Sequence, residues 1–456
     1  MPEEFINRMK EQMGDEFDSF IKSYEEPCEK SLRVNTLKIQ VKDCLNLLGY
    51  SDDCKENCAV SWEKAGFYYG KDDTPGKSPL HEAGAYYIQE ASAMLPVTLL
   101  DADKDNLKVL DLCAAPGGKS TQIASYMKGR GLLVANEIVS QRASILSENI
   151  ERMGVRNALV ISEDPNKLAE RFTGFFDRIL VDAPCSGEGM FRKHPEAMDE
   201  WSPDNVEMCA KRQDMILDCA AIMLAPGGKI VYSTCTFSMA EDEGACERFI
   251  KRHHEFEVAD KPTRLFPHKE RGEGHFAVSF VRSAQKDMNT DPVRKNDTGK
   301  ILSPDERKLL EAFAEETFLP NSPVWQMINC KSDEYKIVRF GDSIYSAPSL
   351  VPETKGLKVM RIGLKLGEFK KNRFEPDHAL AMAIAPSDVK NFYSFDVDSA
   401  EIAGYLNGMT LTVNPEKSPK TKGWCLVCVN GISLGWGKIA GGIIKNHYPK
   451  GLRIQK

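Results

Sequence analysis

The chain has 456 residues, 42% hydrophobic and 28% charged, with a net charge of −7. This is the composition of a globular protein of about three domains, and it excludes wholesale disorder and a uniformly basic nucleic-acid coat, though not a local basic patch. No run of 18 apolar residues suggests a membrane helix, and Met1 to Lys10 lacks the apolar stretch of a secretory leader, so a cytoplasmic protein is expected.

In chain order, Phe5, Ile6, Met9 and Met13, then Phe17, Phe20 and Ile21, recur at helical spacing, which predicts two short amphipathic helices before a break at Pro27. Leu32 to Ile39 alternates like a strand, and Val41 to Leu48 reads as a helix. A turn-rich stretch with Gly66, Gly70, Pro75 and Pro79 completes a small α+β unit at 1–90. From 91 to 284 short apolar runs alternate with helix-length segments. The runs are Val109–Asp111, Gly131–Glu137, Ala158–Ile161, Ile179–Asp182 and Lys229–Ser233. This pattern predicts βαβ units and a mostly parallel sheet, with Phe276–Val281 as a last antiparallel strand at its edge. A polar stretch at 285–303 reads as a linker. An intermediate unit follows at 304–375, with a helix at Pro304–Phe318 and strands over Trp325–Ile362. A last unit occupies 376–456, and from Lys417 onward it has eight basic residues and no acidic one.

The thirteen cysteines are odd in number and scattered, which argues for reduced thiols. Cys54/Cys58 and Cys425/Cys428 are closely spaced, but neither has the second pair or histidines that zinc needs, so no metal is expected. Cys425 and Cys428 lie in a strand-like run, where i and i+3 face opposite ways. Cys209 falls on the apolar face of a helical pattern and reads as a core thiol.

The stretch Val109–Ile123 ends a strand in Asp111, turns at Gly117 and Gly118, and starts a helix near Ser120. In open α/β sheets ligands sit beyond the carboxyl ends of the strands, and two glycines let a backbone come close. Neither the dinucleotide fingerprint nor the phosphate loop is present, so a nucleoside without phosphates fits better. Glu137, Asp164 and Asp182 follow the next strands. A carboxylate after the second strand suits two ribose hydroxyls, and an acidic crevice suits the sulfonium of S-adenosyl-L-methionine. Any one of these carboxylates could instead be a helix N-cap.

Two cysteines follow neighbouring strands: Cys185 in Asp182-Ala-Pro-Cys-Ser-Gly187 and Cys235 in Ser233-Thr-Cys235. Methyl transfer to a pyrimidine C5 needs such a thiol, because C5 is a poor nucleophile until a thiolate adds at C6. Lys119 is the nearest cation by motif, and Asp182 is placed to stabilise charge on the ring. Buried filler or an adventitious redox pair is the plainer alternative for two such cysteines.

Asp-Leu-Cys-Ala-Ala-Pro-Gly-Gly-Lys at 111–119, Asp-Ala-Pro-Cys-Ser-Gly at 182–187 and Ser-Thr-Cys at 233–235 resemble, in order and spacing, the motifs of the Sun family of RNA cytosine-5 methyltransferases. Arg33–Leu37, Tyr87–Ala91, Gly367–Phe374, Leu434–Lys438 and Asn446–Lys450 resemble its bacterial RsmF type, which modifies 16S ribosomal RNA of the small subunit. The resemblance implies a class I S-adenosylmethionine-dependent methyltransferase fold, Rossmann-like and α/β, with a PUA-like RNA-binding domain at the C-terminus. It implies Cys235 as nucleophile, Cys185 as the residue that assists adduct breakdown, and Lys119 and Asp182 as active-site partners. Cys113, Ala114, Ala115, Pro116, Gly117, Gly118, Lys119, Glu137, Asp164 and Asp182 match its cofactor positions. The expected partner is ribosomal RNA or the small ribosomal subunit, met by a monomer. Candidate RNA contacts are the basic tail, with Trp424, Trp436 and Tyr448 among its lysines, and the cluster Lys365, Lys370, Lys371 and Arg373. The competing reading is an RNA-binding assembly factor that keeps the fold without turnover; the intact Cys235, Cys185 and Asp182 speak against it.

Overall fold

The structure is a computed structural model that describes residues 1–50, 57–284, 302–320, 322–329, 334–412 and 422–453. Most of the 285–303 stretch, together with Cys54, Lys417, Lys420 and Lys456, lies outside the described residues.

Helices α1 (Glu3–Met13) and α2 (Phe17–Ser23) bury Phe5, Met9, Met13 and Phe20, the apolar face read from the sequence. Strand β1 (Lys30–Val34) stops five residues short of the expected end at Ile39. The cause is Asn35, whose side chain accepts from the Leu37 amide and donates to the carbonyls of Gly84 and Met153, closing a turn. After helix α3 (Val41–Leu47), strands β2 (Gly66–Tyr69) and β3 (Tyr86–Ile88) flank β1 in the antiparallel order β2-β1-β3.

The central sheet starts with β4 (Lys108–Asp111), α4 (Gly118–Met127), β5 (Leu132–Asn136), α5 (Ser140–Arg152), β6 (Ala158–Ile161), α6 (Pro165–Arg171) and β7 (Phe176–Asp182). It continues through α7 (Pro203–Met223), β8 (Leu224–Thr234), α8 (Glu243–Arg252), β9 (Phe256–Leu265) and β10 (His275–Arg282). With β13 (Val359–Ile362) at one edge, its strand order is β13-β6-β5-β4-β7-β8-β10-β9, parallel from β6 to β8. Successive residues feed opposite layers. Leu110, Leu132, Val134, Leu159 and Ile161 join one apolar cluster, whereas Val109, Leu133, Ala135, Ala158 and Val160 join the other.

Both sheet edges differ from expectation. Strand β10 is antiparallel as expected but lies inside the edge, because β9 pairs along its outer side. That strand is largely exposed and carries Pro262, so it lacks an apolar run to read. The opposite edge is β13 (Val359–Ile362), which returns from far along the chain to pair antiparallel with β6. Buried Arg361 reaches Glu151 from there.

The remaining elements precede and follow that strand. Helices α9 (Pro304–Thr317) and α10 (Pro323–Ile328) come first, the latter capped by Ser322, so Trp325 sits in a helix rather than the expected strand. Strands β11 (Tyr335–Phe340), β12 (Ser343–Pro348), β14 (Leu364–Lys370) and β15 (Arg373–Pro376) form an antiparallel sheet in that order. After α11 (His378–Met382), the last sheet holds β16 (Phe392–Phe395), β17 (Leu411–Thr412), β18 (Lys422–Val429), β19 (Ile432–Ala440) and β20 (Ile443–Asn446), with α12 (Ala400–Leu406) against it. Cys425 and Cys428 in β18 are buried in separate clusters, as their spacing predicts. Cys425 shares its cluster with Leu32, Val34 and Tyr86 of the N-terminal unit, so the two ends of the chain close one core. No helix among the described residues is long and apolar enough to cross a membrane.

Candidate active site

The carboxyl ends of the parallel strands open into a cleft of about 590 Å³. Cys113, Ala115, Glu137, Asp164, Asp182, Cys185 and Cys235 all line it, so most of the residues singled out in the sequence meet in one place. Ala114, Pro116, Gly117, Gly118 and Lys119 are not among its lining residues. The space beside both glycines is filled by protein. A Cβ at Gly117 would meet Leu146 at 3.2 Å, and one at Gly118 would meet Tyr87 at 3.3 Å. Gly117 has φ +116° and opens α4, so these glycines serve the turn and the approach of α5 and the N-terminal unit. The helix accordingly starts two residues before the expected Ser120.

The strand-end carboxylates have separate fates. Asp111 is fully buried away from the cleft, where it accepts the Ser120 hydroxyl at 2.6 Å; burial pushes it up to about 7. Glu137 is 4% exposed, accepts the Val139 amide at 2.9 Å and faces Arg142 at 3.4 Å. Strand β6 ends at Ile161, and Asp164 beyond it caps α6 by accepting the Asn166 amide at 2.8 Å. For Asp164 the N-cap alternative is therefore realised, although it also lines the cleft.

Strands β7 and β8 run side by side with Asp182 opposite Ser233, which brings the two cysteine turns together. The Cys185 and Cys235 sulfurs are 3.4 Å apart. The hydrogen bond to Cys235, and then burial, push the Cys185 thiol well above its usual value, so Cys185 stays a thiol at neutral pH. Asp182 accepts from Lys119 Nζ at 2.8 Å and from the Ser233 hydroxyl at 2.8 Å. Burial opposes its charge, yet the Lys119 ammonium and His275 outweigh burial and hold the carboxyl well below the usual range. Lys119 is raised in turn: burial opposes its charge, but Asp182 and the nearby Cys235 outweigh it. The lysine thus serves Asp182 first and lies close to Cys235 as well.

Three groups at this site carried no local signal. His275, 2% exposed, comes from β10 and sits 3.6 Å from Asp182. Glu188 and Glu241 are both fully buried behind the cysteines. Glu188 accepts from Arg8, the Trp201 indole and the Phe237 amide, fastening α1 to the turn that carries Cys235.

The expected RNA-contact aromatics need correction. Trp424, Trp436 and Tyr448 are buried at 6%, 2% and 2% exposure and form the core of the last unit, so they offer no stacking surface. Lys365, Lys370 and Arg373 are paired with Asp377, Glu368 and Glu375. The exposed cations of the last unit include Lys422, Lys445 and Lys450.

Four stretches match known families in the same order along the chain. Residues 1–91 match the N-terminal domain of 16S rRNA methyltransferase RsmF, and 97–293 match 16S rRNA methyltransferase RsmB/F. Residues 312–384 match the first C-terminal domain of RsmF, and 392–454 match its PUA domain. Ribosomal RNA small subunit methyltransferase F of Shewanella oneidensis is 32% identical, over 98% of this chain and 96% of its own. The chain belongs to this family. The Aeromonas salmonicida member is 34% identical over 95% of this chain and 93% of its own. Among solved structures, a methyltransferase homologue from Pyrococcus horikoshii has a TM-score of 0.52 at 28% identity, covering 59% of this chain and 91% of that one. NSun6 from Pyrococcus horikoshii, solved with SFG, has a TM-score of 0.54 at 22% identity, covering 62% and 99%, and speaks for the fold alone. The central sheet is thus the Rossmann-like sheet of S-adenosylmethionine-dependent methyltransferases, with an α+β unit before it and a PUA unit after it, as the resemblance implied.

Proposed function

We propose that the protein methylates C5 of a cytosine in 16S ribosomal RNA, using S-adenosyl-L-methionine, through a covalent adduct between Cys235 and C6. The observation that carries this reading is the pair of thiols in contact at the mouth of the cleft, beside an ionised Asp182. The family membership supports the RNA class and the methyl transfer.

The lining suits the cofactor. Glu137 offers a buried carboxylate to a ribose diol, Ile138, Val139 and Pro165 offer apolar walls to a base, and the carboxylates suit a sulfonium. When bound, this group supplies an electrophilic methyl. The chain's own residues do the rest. Cys235 as thiolate adds to C6, which breaks the C5=C6 bond and places its electron pair at C5. Asp182, held ionised by Lys119, accepts from the N4 amino group and orients the base, while the Lys119 ammonium beside it offsets the negative charge that the addition puts on the ring. After methylation the C5 proton passes to solvent water, its bonding pair re-forms the C5=C6 bond, and the C6–S bond breaks with its pair leaving on the Cys235 sulfur. Cys185 acts in this stage, and its protonated resting state suits delivery of a proton to the departing sulfur.

The test uses labelled cofactor with 16S RNA, both free and in the small subunit, followed by denaturing electrophoresis. Cys235→Ala is expected to give neither adduct nor product. Cys185→Ala is expected to accumulate an RNA–protein adduct with turnover strongly reduced, because its forming step survives and its resolving step does not. Adduct trapped by Cys235→Ala and lost in Cys185→Ala would exchange the two roles.

A further inference from the structure

Behind the two sulfurs the cysteine turns are tied together by groups that the mechanism above leaves without a task. Ser186 follows Cys185 and Thr236 follows Cys235, and their hydroxyls meet at 2.8 Å. Both lie over one buried carboxylate, Glu241. Ser186 donates its hydroxyl to Glu241 Oε1 and its backbone amide to Oε2 at 3.0 Å. Gln213, on α7, donates to Oε2 at 2.9 Å and to the carbonyl of Pro184, just before Cys185, at 3.1 Å. The Ser186 hydroxyl spends its one proton on Glu241, which leaves the Thr236 hydroxyl, 2.8 Å from Ser186 and 3.5 Å from Glu241 Oε1, to donate to either oxygen while accepting the Ser238 amide at 3.2 Å. Glu241 is itself anchored to β8, since its backbone carbonyl accepts the Tyr232 hydroxyl at 2.6 Å.

We propose that Glu241 is a positioning residue for the reaction: its buried carboxylate holds the Cys185 and Cys235 turns in one register and sets the contact between their sulfurs. This rests on the catalytic reading of the two cysteines given above. The chemistry of the donor set explains why a carboxylate stands here. Three donors, with the Thr236 hydroxyl a fourth at 3.5 Å, converge on two oxygens, and only an acceptor-only group satisfies all of them. A glutamine of the same shape would keep one oxygen and turn an amino group toward a donor. The Cys185 turn would then lose its tie at Ser186, next to the sulfur, while the Gly189 amide farther along still donates to the Cys235 carbonyl at 2.9 Å, so the change falls on the side chains nearest the sulfurs. A slip there lengthens the gap between the sulfurs without touching the cofactor lining, of which Glu241 is no part.

The experiment compares full-length wild type with Glu241→Gln. Turnover at saturating RNA and cofactor is expected to fall about 100-fold, the usual effect of misplacing reacting groups by about an ångström. KM for RNA and cofactor affinity are expected to stay within about twofold, which a general loosening of the fold would not spare. A second measurement reads the geometry directly. Diamide removes two electrons and two protons from two adjacent thiols, joining them as a disulfide, and the Cys185–Cys235 crosslink is expected to form more slowly in Glu241→Gln than in wild type. Should that variant fail to fold, Ser186→Ala and Thr236→Val replace it, and their effects on crosslinking are expected to be non-additive, since each breaks the same chain of bonds. Wild-type turnover and wild-type crosslinking in Glu241→Gln, or in both hydroxyl variants, overturn the proposal. Methylation by Cys235→Ala would instead overturn the catalytic reading, while the crosslinking rate would still report whether Glu241 holds the pair.

Discussion

Glu137 and Asp111 end neighbouring strands of one sheet, yet one faces the cleft and the other the core, and each makes its own expectation. If Glu137 takes the ribose hydroxyls, Glu137→Ala removes a charge-assisted hydrogen bond of about 2–3 kcal/mol, and calorimetry is expected to show cofactor affinity falling ~30–150-fold. Unchanged affinity would refute the ribose role. Asp111 bears on pH. Burial raises its folded value to about 7, so folding favours its protonated form. Its contribution to stability is therefore fullest below the unfolded value near 4 and is lost as pH rises toward 7. Asp111→Asn keeps an acceptor for Ser120 and has no charge to bury. By urea unfolding it is expected to match wild type near pH 4 and exceed it by about 2–4 kcal/mol at pH 8. A gain at pH 4 that vanishes at pH 8 would mean that burial acts in the opposite sense. At this scale the sequence singled out the cysteines, Asp182 and Lys119, which the structure brings together, because each sits in a short motif with its own chemical signature. His275, Glu188 and Glu241 stayed hidden because their meaning lies in partners far along the chain.

The elements of the sheet were legible where burial left a continuous apolar run, as in β4 to β7, and illegible where it did not. Strand β9 is mostly exposed, and β13 has four residues with a charged one among them, so neither announces its pairing partner. Helix α1 was legible as a helix but not as a support of the cysteine turns. Arg8 on this helix bonds to Glu188 at 2.6 Å, and Glu188 in turn accepts the amide of Phe237, two residues beyond Cys235. Arg8→Ala removes a charged hydrogen bond from a carboxylate shielded from solvent, and the expected cost is about 2 kcal/mol in urea unfolding. It is also expected to lower turnover, since the freed carboxylate loosens the turn it fastens. A loss of stability with unchanged turnover would limit α1 to a structural role.

At the scale of the whole molecule the four matched stretches are not four separate beads. The N-terminal unit shares a core with the last sheet, and α11 packs on α5 of the catalytic unit. Composition and element order suggested a division into units, but no local pattern could announce that the first and last share their apolar faces. The correction to the aromatic residues of the last unit has the same origin: alternation marks a strand residue as inward or outward only once the covering layer is known. What remains for RNA is charge. If Lys422, Lys445 and Lys450 each meet a phosphate, the triple lysine-to-glutamine variant is expected to weaken RNA binding. The slope of log affinity against log salt is then expected to shrink by roughly 2, about 0.7 for each phosphate no longer neutralised. An unchanged slope would mark these lysines as a solvated face.

The return of β13 to the flank of β6 also orders events in time. During synthesis, β6 leaves the ribosome roughly 200 residues before the strand that will cover it. At about 5–20 residues per second its open edge waits on the order of 10–40 s. A bare parallel strand of Ala-Leu-Val-Ile is a ready template for a passing neighbour. Crowding of nascent chains on one messenger is therefore a hazard at this edge, and a chain interrupted before Val359 would leave the catalytic sheet with an adhesive side.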